Sequence, residues 1–275
     1  MPELPEVETV KESLKKVILN KQIKSVDVFY DGIIKNIDVN EFKISLVNET
    51  IVDIKRYGKY LLFILNNYIL VSHLRMEGKY NYITENKKEY SKHEHVIFHF
   101  SDTETLRYDD TRKVGTMHLF KETDVSILLK QEPLNKLGIE PLSAALTVEY
   151  LKDKFKKISK PIKSALLDQT IISGLGNIYA DEVCFMSGIN PYKKSKELSE
   201  DELDKIIISS KVVIQKAIKL GGTTIKSFTS SHMITGRFQN ELLVHTKSKC
   251  PKCGAKIIKE FIGGRGTYYC KDCQK

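Results

Sequence analysis

Cys250-Pro251-Lys252-Cys253 and, sixteen residues further on, Cys270-Lys271-Asp272-Cys273 form a C-x2-C-x16-C-x2-C array. Each pair can grip one side of a tetrahedral metal, and four thiolates complete a structural zinc centre with no open position. Two disulfides are the alternative, and they belong to oxidising compartments. The chain opens on an acidic, helix-like stretch without the basic and apolar regions of a secretory leader. No apolar run approaches the ~18 residues that cross a bilayer. The array therefore reads as a zinc ribbon. The fifth cysteine, Cys184, lies in an apolar helical pattern and reads as an inert core thiol. Around the array the charge is one-sided. Residues 247–275 carry eight basic and two acidic side chains, supplying +6 of the chain's net +9. Solvated lysines would spread evenly; this clustering marks a nucleic-acid footprint.

The other end reads Met1-Pro2-Glu3-Leu4-Pro5-Glu6-Val7-Glu8-Thr9. Initiator methionine is trimmed when proline follows, which would leave Pro2 as a free secondary amine. Such an amine titrates well below a lysine and can attack a carbonyl-like carbon to form an iminium. Glu3 and Glu6 lie close enough in sequence to move protons for it.

Between the ends, 275 residues with 41% hydrophobic content suit two domains plus the zinc module. No internal repeat or low-complexity tract is present. Val7, Val10, Leu14 and Val17 recur at helical spacing. From about residue 21 to 120 the pattern turns to short strands, among them 50–57, 59–65, 68–74, 96–100 and 105–108. They are rich in β-branched and aromatic residues and bounded by Gly, Asn and Asp, which predicts a sandwich. Residues 121–146, with Pro133, Gly138 and Pro141, read as a linker. A helical region follows. Ser199-Glu200-Asp201-Glu202 is a capping box whose helix runs to Gly221-Gly222. An earlier helix is expected to start at an Asn177 N-cap. The Gly174-Leu175-Gly176 before it suits either a phosphate or a tight turn between packed helices.

Pro2 through Thr9, Arg56-Tyr57-Gly58-Lys59-Tyr60, His73-Leu74-Arg75-Met76-Glu77-Gly78, Asp168-Gln169, Gly174 through Glu182 and the four-cysteine array occur in this order along the whole chain. Together they resemble the bacterial formamidopyrimidine-DNA glycosylases. The sister endonuclease VIII branch opens Pro-Glu-Gly-Pro, so Leu4 favours the purine-repair branch. The resemblance implies a multidomain α+β chain with an N-terminal catalytic β-sandwich over 1–133 and a linker over 134–146. It implies a helix–two-turn–helix domain over 147–240 with a lesion-capping loop at about 221–239, and a zinc ribbon over 241–275. Duplex DNA would lie in the cleft between domains. The implied activity is excision of oxidised purines, notably 8-oxoguanine and formamidopyrimidines, followed by β,δ-elimination of the strand. The implied enzyme is a monomer of the bacterial cytoplasm with one structural Zn2+ and no redox or nucleotide cofactor.

Roles carry over by position. Pro2 matches the nucleophile, Glu3 the general acid/base, and Glu6 a group that orients Pro2 or a water. Lys59 matches a lysine that contacts DNA phosphate and supports catalysis. Arg265, Lys163, Asn177 and His93 match backbone contacts, which position DNA without reading sequence; Arg265 is grouped with the catalytic set. Met76 and Arg112 match residues that enter the space left by a flipped base. The third member of that group is usually phenylalanine, and here it is Val114. The loop interior, Ser230 to Gly236, also departs from the usual pattern. The alternatives are an oxidised-pyrimidine glycosylase and a damaged-DNA binder without catalysis. The intact Pro2, Glu3 and Lys59 set argues against a pure binder.

Overall fold

The computed structural model describes residues 1–85, 90–223 and 236–275. They fall into two compact units, Met1–Asn135 with Thr223–Gly236, and Lys136–Gly222 with Arg237–Lys275. Thr223 joins the first unit, and the ribbon merges with the helical segment. The merger has a packing cause: Phe185 and Val244 share one apolar cluster with Cys250, Ile257 and Cys270.

The first unit begins with α1 (Leu4–Ile18) and continues through β1 (Ser25–Val28), α2 (Val39–Leu46), β2 (Asp53–Tyr57), β3 (Tyr60–Ile64), β4 (Ile69–His73), β5 (Lys79–Ile83), β6 (Glu94–His99), β7 (Thr105–Asp109), β8 (Thr116–Phe120) and α3 (Val125–Leu128). The strands form two antiparallel four-stranded sheets, ordered β1-β6-β7-β5 and β2-β3-β4-β8. Both sheets feed one core, including Phe63, Leu70, Tyr80, Val96, Leu106 and Tyr108. Every residue of β4 and nearly every residue of β3 is buried, which is why these strands read as continuous apolar runs rather than alternating ones. α1 seals the same core with Val7, Val10, Leu14 and Ile18; Ile18 ends the stripe where the sequence reading put Val17, which is only half-buried. The stretch expected to be pure linker contains α3, capped by the Asp124 carboxylate.

The second unit holds α4 (Val148–Phe155), α5 (Ile162–Leu166), α6 (Asn177–Ser187), α7 (Glu200–Lys219) and the hairpin β9 (Ile258–Ile262) with β10 (Arg265–Tyr269). α7 starts at the expected box: Glu202 N–H donates to Ser199 Oγ at 3.3 Å, and Ser199 N–H to Glu202 Oε2 at 2.9 Å. It stops at Gly221 and Gly222, whose φ values are +75° and +73°. The expected Asn177 cap is corrected: Gly176 is the N-cap, and Asn177 is the first helical residue. Its side-chain amide instead donates to the Gly266 carbonyl at 2.9 Å. Among the described residues no helix is long and apolar enough to cross a membrane.

Candidate active site and nucleic-acid interface

Pro2, Glu3 and Glu6 are all buried, at the start of α1. Glu6 is the hub. Its Oε2 accepts the Glu3 N–H at 2.9 Å, fixing the peptide bond that follows Pro2. Its Oε1 accepts both the N–H and the hydroxyl of Thr223, at 2.8 and 3.1 Å. Lys59, 5% exposed, occupies the β2–β3 turn, where Gly58 supplies a φ of +57° at no steric cost. Arg56 straps that turn to α1: its Nε donates to Glu8 at 2.7 Å and its Nη1 to the Gly58 carbonyl at 2.9 Å. The site's electrostatics follow from burial. Desolvation lowers the pKa of the terminal amine on Met1, assisted by the Lys59 charge and opposed by Glu3, Glu6 and Glu77.

Two loops stand beside this centre. His73 closes β4, and its Nδ1 accepts the Arg75 N–H at 2.9 Å. Burial, then the Arg75 and Lys59 charges, push its pKa down to about 3, so it is a neutral acceptor that shapes the turn carrying Met76. The second loop follows β7. Asp110 is completely buried and holds the loop backbone: Oδ1 accepts the Arg112 N–H at 3.0 Å, and Oδ2 accepts those of Val114 and Gly115 at 2.9 and 2.8 Å. This carboxylate stabilises a backbone in which Lys113 takes a φ of +55°. His95 Nε2–H donates to the Asp110 carbonyl at 2.8 Å. The loops are tied to each other through the Thr111 hydroxyl and Glu77. They also close on the Tyr108 hydroxyl, which a Cβ added to Gly78 or to Gly115 would overlap. Val114 is left 41% exposed, not packed at the sheet edge.

In the second unit the four cysteine sulfurs converge, all within 4.8 Å of one another. Cys250 and Cys273 stand 3.8 Å apart, and Cys253 and Cys270 3.6 Å. Tetrahedral zinc with Zn–S of ~2.3 Å requires S···S near ~3.8 Å, whereas a disulfide requires ~2.05 Å. The residues fit one structural Zn2+ with no open position. Cys184 lies apart, buried, with its thiol pushed up to about 12 by desolvation. The hairpin is anchored to α6 by Asn177, and the chain entering the ribbon by Glu182, whose carboxylate accepts the N–H groups of Leu243, Val244 and His245 at 2.7–3.0 Å.

Three family profiles match in chain order: the formamidopyrimidine-DNA glycosylase N-terminal domain over residues 1–117, the H2TH domain of the same enzymes over 137–229, and the zinc finger found in FPG and IleRS over 247–275. The formamidopyrimidine-DNA glycosylase of Oceanobacillus iheyensis is 46% identical, the alignment covering 100% of this chain and 98% of that protein. The Bacillus subtilis enzyme is 45% identical, with 100% and 99% covered. The chain belongs to the formamidopyrimidine-DNA glycosylase family. A mutant of the Lactococcus lactis FPG, in complex with a Fapy-dG-containing DNA, superimposes with a TM-score of 0.90 at 40% identity, covering all of both chains. The same organism's Fpg with an abasic-site DNA gives 0.89 at 40% identity over 99% of each chain.

Of the expected DNA contacts, Lys163 is wholly buried, its ammonium paired with Asp181 and donating to the Asn177 carbonyl at 3.1 Å, which braces the start of α6. His93 is half-buried, and its carbonyl accepts the Asp110 N–H at 2.9 Å. Arg265 sits exposed at the start of β10. Most of the expected capping loop lies outside the described residues, which include only its ends at 221–223 and 236–239. Sequence reasoning missed Asp110 as organiser of the probing loop and the Asp181 pairing with Lys163. An Asp just ahead of a loop with free N–H groups was the available signal for the first; the second links residues on two helices and had none.

Proposed function

We propose that this DNA glycosylase, a base-excision enzyme for oxidised purines with AP lyase activity, uses Pro2 as its nucleophile. Removal of Met1 places the Pro2 amine in the desolvated setting that Glu3, Glu6 and Lys59 create. The observation that carries the reading is the burial of Pro2, Glu3, Glu6 and Lys59, with Glu6 holding the peptide that follows Pro2. The damaged nucleotide leaves the stack to reach it. The amine attacks C1′ and the N-glycosidic bond breaks, the base departing with the bonding electrons and a proton. The amine then loses its proton, C1′–O4′ breaks with O4′ taking a proton, and the ring-opened iminium that results acidifies C2′–H. Glu3 takes and returns protons at the sugar, and elimination then breaks C3′–O and afterwards C5′–O. Lys59 faces the adjacent phosphate. Both oxygens of Glu6 accept backbone N–H groups, so it acts by holding the Pro2–Glu3 peptide rather than by moving a proton.

Borohydride should trap a covalent adduct through Pro2 on duplex containing 8-oxoguanine opposite cytosine. Pro2→Gly keeps a primary amine and should trap weakly; one extra residue ahead of Pro2 should abolish trapping. Full trapping with a blocked terminus would transfer the role to a lysine. A second substrate class has a specific support: the Lactococcus lactis Fpg, 40% identical with a TM-score of 0.88, is seen with an oxidized-pyrimidine-containing DNA. Comparing cleavage of 8-oxoguanine and thymine-glycol duplexes ranks the two. The setting that fits this work is the bacterial cytoplasm, on nucleoid DNA.

A further inference from the structure

Residues 74–78 join β4 to β5, and residues 110–115 join β7 to β8. β4 and β8 belong to one sheet, β5 and β7 to the other. Both loops that carry probing side chains therefore cross between the sheets. The strand register places them at one corner of the sandwich: Ser72 in β4 pairs with Met117 in β8, and Tyr80 in β5 pairs with Tyr108 in β7. Each of these four residues stands two positions from the loop it borders, and none is more than 1% exposed. One hydrogen bond closes the corner from sheet to sheet, the Tyr80 hydroxyl donating to Ser72 Oγ at 2.8 Å. A phenylalanine ring would fill the same space, and a buried hydroxyl costs stability unless it is paired, which marks the oxygen as a tie and not as filler. Burial raises the pKa of the Tyr80 phenol and keeps it a donor. Its ring is held edge-on by Phe63 and Tyr108, with centroids 5.5 and 5.2 Å away.

Tyr80 thus touches both loops through their bases. Ser72 leads into the loop of Met76, and Tyr108 stands its hydroxyl against Gly78 of that loop and Gly115 of the other. Packed groups of this kind shift between discrete arrangements and do not deform smoothly. We propose that Tyr80 is a positioning residue for damage recognition: tied to Ser72 and packed on Tyr108, it makes the Met76 loop and the Arg112 loop enter and leave the duplex as one body. A base step then meets both side chains together, and intrusion by either one alone is suppressed. The inference rests on the reading of Met76 and Arg112 as duplex-probing residues and adds the coupling between them.

Two measurements on zinc-loaded full-length protein test this: kcat/KM for excision of 8-oxoguanine opposite cytosine, and borohydride trapping on a single-stranded abasic oligonucleotide. Met76→Ala and Arg112→Ala should each slow excision. In the otherwise wild-type chain the two together should cost little more than the worse one alone, because residues that act as a unit are not additive. In a Tyr80→Phe, Ser72→Ala background the two losses should multiply, leaving the double variant about fivefold or more below the worse single. That background removes donor and acceptor together, so Tm should stay within about 2 °C of wild type, whereas Tyr80→Phe alone strands the Ser72 hydroxyl and should lower Tm further. Excision by the background itself should fall about 5- to 10-fold while single-strand trapping stays within about twofold. Losses that multiply equally in both backgrounds would overturn the inference and leave the probing roles intact. Multiplication produced by Thr111→Val but not by the Tyr80→Phe, Ser72→Ala pair would move the coupling to the loop tips, where the Thr111 hydroxyl meets Glu77, and would overturn it as well. Equal falls in excision and in single-strand trapping would reduce Tyr80 to a residue that only stabilises the fold. Met76→Ala and Arg112→Ala proteins that both excise at the wild-type rate would overturn the probing reading, and the inference with it.

Discussion

Val114 stands where the resemblance places a side chain that probes the duplex. It is 41% exposed at the tip of a loop whose backbone is fixed by Asp110, so a larger side chain has room to extend into solvent. An aromatic in this place would stack on a base, worth ~1–3 kcal/mol, and offset part of the cost of opening a step. Val114→Phe should therefore strengthen binding to undamaged duplex about 3- to 10-fold, raise fluorescence-detected distortion, and leave Tm unchanged. Excision should rise less, because Met76 and Arg112 remain. A fall in Tm with no change in distortion would mean the side chain packs inward. Other single residues were less readable. Lys163 was placed at the DNA backbone only by the resemblance, and its pairing with Asp181 on another helix had no local signal. Asn177 resembled a cap because Asn is a good one, but the carbonyl of Gly266, far along the chain, claimed its amide. Side chains whose partners are distant in sequence leave no local trace.

At the scale of elements, the Asp110 loop works as a small anion-centred nest. Three N–H groups converge on one buried carboxylate, and hydrogen bonds to a charged group contribute ~1.5–3 kcal/mol each, without strict additivity. Asp110→Ala should lower stability by ~3 kcal/mol and reduce kcat/KM on lesion duplex far more than borohydride trapping on a single-stranded abasic substrate, which needs no duplex probing. Asp110→Asn keeps an acceptor oxygen and should recover most of the stability. Equal losses on both substrates would show general unfolding instead of a misplaced loop. Helices and strands were legible wherever burial gave them a period, as in α1 and α7. The boundaries that failed were those decided by tertiary contact: Ile18 replaced Val17 because the core reaches it, and α3 formed where an Asp cap could start one turn.

For the molecule as a whole, the zinc centre decides whether the second unit keeps its charged tail in place. Cys250 and Cys270 are both ligands and core residues, packed with Phe185 and Val244. Structural zinc in such modules is worth ~10–16 kcal/mol of apparent folding free energy at neutral pH. Stripping zinc with a strong chelator should unfold the ribbon, weaken duplex binding more than about tenfold, and flatten its salt dependence, while the near-UV signal of the tyrosine-rich first unit persists. Metal-free protein that binds duplex normally would remove the ribbon from the DNA interface. The three-part order of sandwich, helical segment and ribbon was readable from composition, charge and cysteine spacing. The fusion of the last two into one unit was not, because it depends on which apolar face the ribbon hides.

Tyr108 has a consequence for how these enzymes change over time. Its hydroxyl stands against both Gly78 and Gly115, so the loop bearing Met76 and the loop bearing Arg112 share one steric hinge-pin. Drift at these three positions cannot be independent. Loss of the hydroxyl would relieve the worst overlap at Gly115, where the next atom is the ring carbon at 2.8 Å, but not at Gly78, where the Leu74 carbonyl still stands at 2.5 Å. Tyr108→Phe should therefore ease a side chain at position 115 only in part, since the ring carbon still stands inside contact distance, and should not ease one at position 78.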